Sequence, residues 1–362
     1  MRTSFVMREE TMQKRKKGIS IITSGWLILL ALGGLLCLFS SCVTPTEKAP
    51  PKALPEKAAA KTPQFESDDY IIYVLDQAED PVQLAERFLG DGDKAWIIEQ
   101  SNPGIAYEKD QIVIIPKHFE NKGGLLLNGY QRVPILCYHH FAEACNSPLC
   151  VTADHFDEQM RYLKSHGYHT ITLSDMLGFL HYEKTIPQKA VVVTIDDGYR
   201  SAYQIAYPIL RKYGFVASLF VYTDFVGSCK NAVTWDQLRE MKSHGFDIGS
   251  HTLSHCNLIQ KKEDEKASDF LSRITKELRE SKTLIDENLD QDTFSIAFPY
   301  GYYNAKVLAI CDKTGYKLGF TVKRGGNPFF SPCLRLKRSQ LLKRDLQYFK
   351  DNLKTFHEYS KK

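Results

Sequence analysis

Two adjacent carboxylates end an apolar run: Val191-Val192-Val193-Thr194-Ile195 leads into Asp196-Asp197, and Gly198 breaks it. A β-branched run of this kind predicts a buried parallel strand that delivers both acids to its C-terminal end. That end is where barrels and doubly wound sheets build their sites. Neighbouring carboxylates there repel each other and cost desolvation, so they need a cation or a proton between them. Further along, Asp247-Ile248-Gly249-Ser250 runs into His251-Thr252-Leu253-Ser254-His255. Two imidazoles at i and i+4 lie one above the other if the segment is helical or a tight turn. A lone histidine is usually a satisfied surface or core residue; a pair at this spacing, just past a strand end, points as readily to a metal. Two neutral histidines and one carboxylate with an open position form a known catalytic zinc set. Asp197 would complete it and leave Asp196 as a base on bound water.

Such a constellation needs a scaffold of strand ends, and the chain from Val133 onward supplies one. VPILCY reads as a strand, Asp154–His166 as a helix stopped by Gly167, and HTITL as a strand before a serine-capped helix at Ser174–Tyr182. After VVVTI come a helix at Ala202–Tyr213, the strand ASLFVY, the helix TWDQLREMKSHG and the strand FDIGSH. A long charged helix at Glu263–Asn288 precedes FSIAF, and a helix at Ala305–Thr314 precedes KLGFTV. The charged helix reads as a solvated face with Phe270, Leu271, Ile274 and Leu278 turned inward. About seven strand–helix units in about 215 residues predict a parallel α/β architecture, closed or nearly closed into a barrel.

The formal net charge of +4 comes from the N-terminus. Residues 1–41 hold six Lys/Arg and two Glu out of totals of 47 and 43, so the remainder is formally neutral. That balance excludes a nucleic-acid-binding surface of the usual basic kind. The basic run Lys14–Lys17 is followed by an apolar stretch, Ile19–Phe39, and then by Ser40-Ser41-Cys42. These are the n-region, h-region and small-residue processing site of an exported chain; a retained membrane anchor is the alternative. The segment resembles a bacterial lipoprotein signal, with Phe39 in place of the usual aliphatic residue. The resemblance implies cleavage after residue 41, lipid on Cys42, and a place in the bacterial cell envelope facing the periplasm or exterior. Val43, not Asp, favours the outer membrane. Residues 42–67 hold five of the fifteen prolines among Ala, Lys and Glu and read as a tether.

Residues 68–118 read as strand, two short helices and a closing strand. Tyr73-Val74, Ala85 with Phe88-Leu89-Gly90, Ile97-Ile98, Asn102 and Gln111–Pro116 resemble a LysM domain, with Asp76-Gln77 replacing the usual Gly-Asp turn. The resemblance implies binding of N-acetylglucosamine-containing glycans; an α/β cap on the next domain is the structural alternative. Residues 119–132 read as a polar, Gly-rich linker and 354–362 as a tail. Of nine cysteines, Cys37 lies in the apolar leader and Cys42 is the residue expected to carry lipid. The odd number left rules out complete pairing within the chain. Cys145 and Cys150 are the most readily imagined pair, and no CxxC pair suggests a zinc framework.

TIDDG (194–198), HTLSH (251–255) and FPYG (298–301), each after a predicted strand, resemble the polysaccharide deacetylase family, also called NodB homology or carbohydrate esterase family 4. The resemblance covers residues 133–353 and implies a distorted (β/α)7 barrel. It implies Asp196 as general base, Asp197, His251 and His255 as ligands of a divalent metal, Zn²⁺ foremost, and the Tyr300 backbone N–H as oxyanion donor. The family's late Leu-x-His motif is absent. Instead Tyr138-His139-His140 ends the first strand, which resembles the permuted branch acting on β-1,6-linked poly-N-acetylglucosamine; this implies His139 as the acid, with His140 as second choice. Ala297 stands where other members carry the arginine that orients the base, so Arg338 or Lys337, on a late strand, is expected to replace it. The expected function is metal-dependent N-deacetylation of a GlcNAc-containing polysaccharide, either peptidoglycan or poly-N-acetylglucosamine, by a protein tied to the membrane through its lipid. The alternatives are a non-catalytic glycan-binding lipoprotein on a degenerate scaffold and an O-acetyl esterase with the same metal site.

Overall fold

A computed structural model describes residues 65–342 and 345–359. The expected signal segment, Cys42 and nearly all of the tether lie outside the described residues. Among the described residues no helix is long and apolar enough to cross a membrane.

The first strand, β1 (Phe65–Glu66), lies inside the stretch expected to be tether. It pairs antiparallel with β2 (Tyr70–Val74), an edge pairing too short to leave a periodic signal. Asp80 then caps α1 (Pro81–Leu89) by accepting from the Val82 N–H, with Pro81 at the first helical position. Gly90 ends α1 in the left-handed region at φ 69°. Next come α2 (Ala95–Ser101) and β3 (Ile112–Pro116), which pairs with β2. Asn102 fastens α2 to β3: its amide donates to the carbonyls of Ile98 (2.7 Å) and Ile114 (2.6 Å) and accepts from the Ile114 N–H. Tyr73, Leu84, Ile98, Val113 and Ile115 form the small core between the sheet and helices.

The linker is more ordered than its composition predicts. β4 (Leu125–Leu126) and β5 (Gly129–Gln131) form an antiparallel hairpin. The barrel begins with β6 (Val133–Tyr138), followed by the short parallel pair β7 (His140–Ala142) and β8 (Cys150–Thr152); Cys150 is disulfide-bonded to Cys145 in the loop between them. Thr152 caps α3 (Ala153–Ser165). The strand expected at HTITL shrinks to β9 (His169–Thr170). Thr172, not the expected serine, caps α4 (Leu173–Leu180): it accepts from the Asp175 N–H at 3.1 Å while Asp175 accepts from its own N–H at 3.0 Å. This capping box takes Thr172 out of the ladder.

β10 (Ala190–Ile195) is buried along its whole length. The helix after it opens as a π-turn, Ala202–Ala206, because Pro208 has no N–H to continue an α ladder, and settles into α5 (Tyr207–Lys212). There follow β11 (Ser218–Val221), α6 (Trp235–Ser243), β12 (Asp247–Ser250), α7 (Ala267–Leu289), β13 (Ser295–Ala297), α8 (Ala305–Thr314) and β14 (Leu318–Phe320). The chain finishes with β15 (Gly326–Asn327), β16 (Ser339–Gln340), α9 (Leu346–Asp351) and β17 (Phe356–Glu358). β17 pairs with β5, so the expected linker and tail together make a third small sheet. Gly129 is required there, since a Cβ would meet the His357 carbonyl oxygen at 2.0 Å.

β14, β13, β12, β11, β10 and β6 lie side by side in that order and run parallel. Residues 336–340 join the two edges: β16 runs parallel to β6, and Leu336 bridges Phe320. The result is a distorted (β/α)7 barrel. Side-chain alternation along β10 divides the core. Val191, Val193 and Ile195 face an outer layer with α3, α5 and α6, while Ala190 and Val192 share an inner cluster with Phe220, Ala297 and Phe320. Helix α4 packs Leu173, Met176, Phe179 and Leu180 against that inner cluster.

Asp247, at the start of β12, accepts from the Leu173 N–H at 2.8 Å and from the Ser218 hydroxyl at 3.3 Å. Burial pushes its carboxyl up to about 6. A raised carboxylate binds its proton more tightly when folded, so stability falls as pH rises from the unfolded value through 6. Between pH 4 and 7, Asp247→Asn should therefore gain on the native chain by roughly 2–3 kcal/mol in urea unfolding. A pH-independent difference would refute this.

Candidate active site

Asp196 and Asp197 follow β10, where the strand emerges beside β6 and β11. The Asp196 N–H still donates to Tyr138, but at Asp197 the backbone swings to φ 77° and Gly198 follows at 83°. The turn gives the two carboxylates different surroundings. Asp196, in phase with Val192 and Thr194, points into the barrel; Asp197 meets the histidines.

Arg338, directly before β16, is fully buried, and its guanidinium grips Asp196 with two bonds of 2.7 Å, one to each oxygen. Its remaining donors reach Thr194 Oγ1 (3.1 Å) and the Thr321 carbonyl (3.0 Å), and Phe220 and Phe320 flank it at 5.8 and 6.0 Å. Burial alone would raise the Asp196 pKa, but Arg338 and then His251 outweigh it and hold the carboxyl below its usual value. Lys337, the other expected substitute, lines a separate cavity with Arg132 and Arg335. Ala297 leaves its carbonyl to His251 and packs its methyl near Phe220 and Phe320.

The Nε2 atoms of His251 and His255 each lie 3.4 Å from Asp197 Oδ1. His251 Nδ1 is 2.7 Å from the Ala297 carbonyl, which can only accept, so Nδ1 carries a proton and Nε2 is the nitrogen turned toward Asp197. In the neutral ring Nε2 carries the lone pair, so a proton or a cation must lie between it and the carboxylate. Burial would lower the His251 pKa, yet hydrogen bonding to Asp197 and the charge of Asp196 raise it overall. Asp197, despite its burial, is held well below the usual carboxylate range by His251 and His255. One ligand atom from each of the three residues lies within 4.8 Å of the others, and the donor set fits a divalent cation.

HTLSH is a strained turn, not a helix, with φ 73° at Thr252 and 59° at His255. It is held from α7. Glu277 accepts from the backbone N–H groups of Leu253 (3.1 Å) and Ser254 (2.9 Å) and from the Ser254 hydroxyl (2.7 Å). One turn on, Ser281 Oγ sits 2.8 Å from Ser250 Oγ, which accepts the Thr252 N–H. Reading α7 as a solvated face missed this. The available signal was phase, because Glu277 falls among the buried positions Ile274, Leu278, Ser281 and Ile285. Glu277→Ala should destabilise the chain by about 1–3 kcal/mol by leaving those donors unmatched, and Glu277→Gln, which keeps an acceptor, by less. Denaturant midpoints measure both, and equal losses would contradict the hydrogen-bond account.

His139, in phase with Cys137 on the inward side of β6, groups with Asp196. Burial lowers its pKa against the pull of both carboxylates. His140 takes the opposite face, with Nδ1 3.4 Å from Cys150 Sγ and its ring edge-on to Tyr199. Cys137 Sγ lies 3.6 Å from Asp196 Oδ2, and burial keeps the thiol protonated. Tyr300, at φ 60° in the FPYG turn, sets its ring edge-on to His255 at 4.9 Å. Residues from TIDDG, HTLSH, FPYG, the end of β6 and the segment before β16 thus meet at one end of the barrel.

Residues 183–319 match the family profile described as polysaccharide deacetylase. The chain is 33% identical over 227 residues to YxkH of Bacillus subtilis (strain 168), assigned by name to the polysaccharide deacetylases; the match covers 63% of this chain and 76% of YxkH. It is 32% identical over 182 residues to the poly-beta-1,6-N-acetyl-D-glucosamine N-deacetylase of Staphylococcus aureus (strain MSSA476), covering 48% of this chain and 61% of that protein. The Streptococcus pyogenes deacetylase PplD, solved in complex with acetate, superposes with a TM-score of 0.54 at 31% identity over 59% of this chain and 92% of PplD. IcaB of Ammonifex degensii, at 23% identity over 62% of this chain and 97% of IcaB, shares the fold with a TM-score of 0.55.

Proposed function

The chain belongs to the polysaccharide deacetylase family, and on that premise we propose that it is a metal-dependent enzyme removing N-acetyl groups from poly-N-acetylglucosamine. The observation that carries this is the side-by-side arrangement of an arginine-held Asp196 and the Asp197–His251–His255 set. The Staphylococcus aureus relative supports the substrate, as does an inward-facing histidine at the end of β6.

In this reading Asp197, His251 and His255 hold the cation, with Zn²⁺ matching two imidazoles and a carboxylate. Bound there, a divalent ion supplies Lewis-acid polarisation and makes water acidic enough to act near neutral pH. Asp196 takes the proton from the attacking water, and Arg338 keeps that carboxylate ionised and fixed in direction. The Tyr300 backbone N–H donates to the carbonyl oxygen as it gains negative charge. His139 in its protonated form gives a proton to the amide nitrogen as the C–N bond breaks, and the proton that Asp196 took from water restores it. The water oxygen leaves in acetate and the nitrogen stays on the sugar as an amine. The proposal includes lipidation at Cys42 and residence in the bacterial cell envelope, outer membrane foremost, with residues 68–118 holding glycan. A disulfide at Cys145–Cys150 suits that oxidising compartment.

The test is acetate release by the purified chain from β-1,6- and β-1,4-linked N-acetylglucosamine oligomers. Chelation should abolish release and Zn²⁺ should restore it, with the β-1,6 oligomer preferred. Release that survives complete metal removal would refute the metal-dependent reading, and a β-1,4 preference would redirect the substrate to peptidoglycan.

A further inference from the structure

Three cations converge at the end of β6 opposite the active site. Arg132 directly precedes that strand, and Arg335 and Lys337 lie in the segment leading to β16. Together they line a cavity of about 320 Å³ beside the turn that follows β15. A strand rises ~3.3 Å per residue, which puts Arg132 roughly 20 Å from His139 along β6.

The cavity is held by specific contacts. Asn327 ties its segments together: the side-chain amide donates to the carbonyls of Val133 (3.2 Å) and Lys337 (2.9 Å), and its oxygen accepts from the Lys337 N–H (2.8 Å). Gly325 and Gly326 leave room for the cationic stems. A Cβ on Gly325 would meet Lys337 Cδ, and one on Gly326 would meet Arg132 Cδ, each at 2.7 Å. Arg132 donates from Nε to the Lys354 carbonyl at 3.1 Å, which orients its guanidinium and leaves the two terminal nitrogens without a partner among the described residues. Ser331 adds a hydroxyl, and Tyr130 and Phe330, edge-on at 5.3 Å, form an apolar wall.

No Asp or Glu lines the cavity, and among the described residues none of the three cations pairs with a carboxylate. Like charges facing one hollow repel each other and raise the local potential, in a chain whose remainder after residue 41 is formally neutral. A carboxylate ligand would bring one negative charge. A phosphate monoester brings about −1.5 to −2 near neutral pH, with three oxygens that suit guanidinium forks and an ammonium. A nucleic acid would call for a stripe of cations and not a single hollow. The ring wall gives the carbon body of an ester an apolar surface to lie on. We propose that this cavity binds a phosphate monoester, with the phosphate between Arg132, Arg335 and Lys337 and the carbon body on Phe330 and Tyr130. The site is separate from the metal set, so a phosphorylated ligand is held at one end of the barrel while the other end stays open.

The test is calorimetry on the full chain with phenyl phosphate and with inorganic phosphate. Phenyl phosphate should bind more tightly, and both should weaken as salt is raised. Arg335→Gln and Lys337→Gln should each weaken both ligands about tenfold, as loss of a charged hydrogen bond implies. Phe330→Ala should weaken phenyl phosphate alone. Native thermal midpoints show that the variants are folded. Binding should survive chelation; loss on chelation would place the phosphate at the metal set and overturn the site. Binding unchanged in both glutamine variants would also overturn it. Phosphatidate–phosphatidylcholine vesicles separate the sources of the phosphate. Vesicle binding that Arg335→Gln abolishes, without binding of the soluble phosphates, would assign a lipid headgroup and keep the cavity. Binding to neither vesicles nor soluble phosphates would overturn the proposal.

Discussion

Replacing Arg338 by methionine should destabilise the chain by about 3–5 kcal/mol, the cost of stranding a buried carboxylate, and should lower acetate release by roughly 10²–10⁴-fold, the usual weight of a general base. The two effects have one origin. Arg338 is the only cation touching Asp196 among the described residues, and both groups are buried. With the guanidinium gone, burial dominates, and the carboxyl relieves the strain by taking up a proton, which removes it as a base. Arg338→Lys should recover part of the stability and less of the activity. An ammonium can neutralise Asp196, but it cannot bridge both carboxylate oxygens while reaching Thr194 and Thr321, as the planar fork does. Urea unfolding and an acetate assay on the same preparations measure both quantities. A methionine variant with native stability and turnover would refute the assignment of Arg338 as the residue that orients the base.

Asp196→Asn should also lower acetate release by about 10²–10⁴-fold, while zinc remains bound. Asp197→Asn should lose zinc and activity together. The contrast follows from geometry: Asp197 shares Oδ1 with the Nε2 atoms of both histidines, whereas Asp196 turns its oxygens to Arg338. Zinc content after dialysis, measured beside turnover, separates the two residues. If Asp196→Asn releases the metal and Asp197→Asn retains it, the roles are exchanged and the mechanism fails. Asp196→Asn will also carry a stability deficit, since one side of an amide turns N–H donors toward the buried guanidinium.

Much of this site was legible because its members lie at strand ends. The apolar run before Asp196, the pair His251 and His255, and the FPYG turn each announce themselves within a few residues. The alternation of strands and helices marks the α/β fold. Where the reading failed locally, the competing signal was also local: Thr172 formed a capping box with Asp175 and shortened the strand at HTITL. β4, β5 and β17 were missed because the pairing of β5 with β17 spans most of the chain, and two- and three-residue strands leave no periodicity.

The sequence by itself determined which residue types stand where the backbone leaves the sheet, and hence the family and the Asp197, His251 and His255 set that could hold a metal. Strand alternation and turn chemistry are short-range properties, and the motifs sit within them. Only the tertiary structure decided which neighbour of each pair faces the chemistry. Residues 336–340 closing against β6 and β14 set the phase that turns Arg338 inward and leaves Lys337 at another cavity. The alternation of β6 turns His139 toward Asp196 and His140 toward Tyr199. Packing of α7 against β12 brings Glu277 under the histidine turn. These choices depend on register between strands and helices far apart in the chain; a shift of one residue would reverse the strand choices and turn Glu277 about 100° around α7.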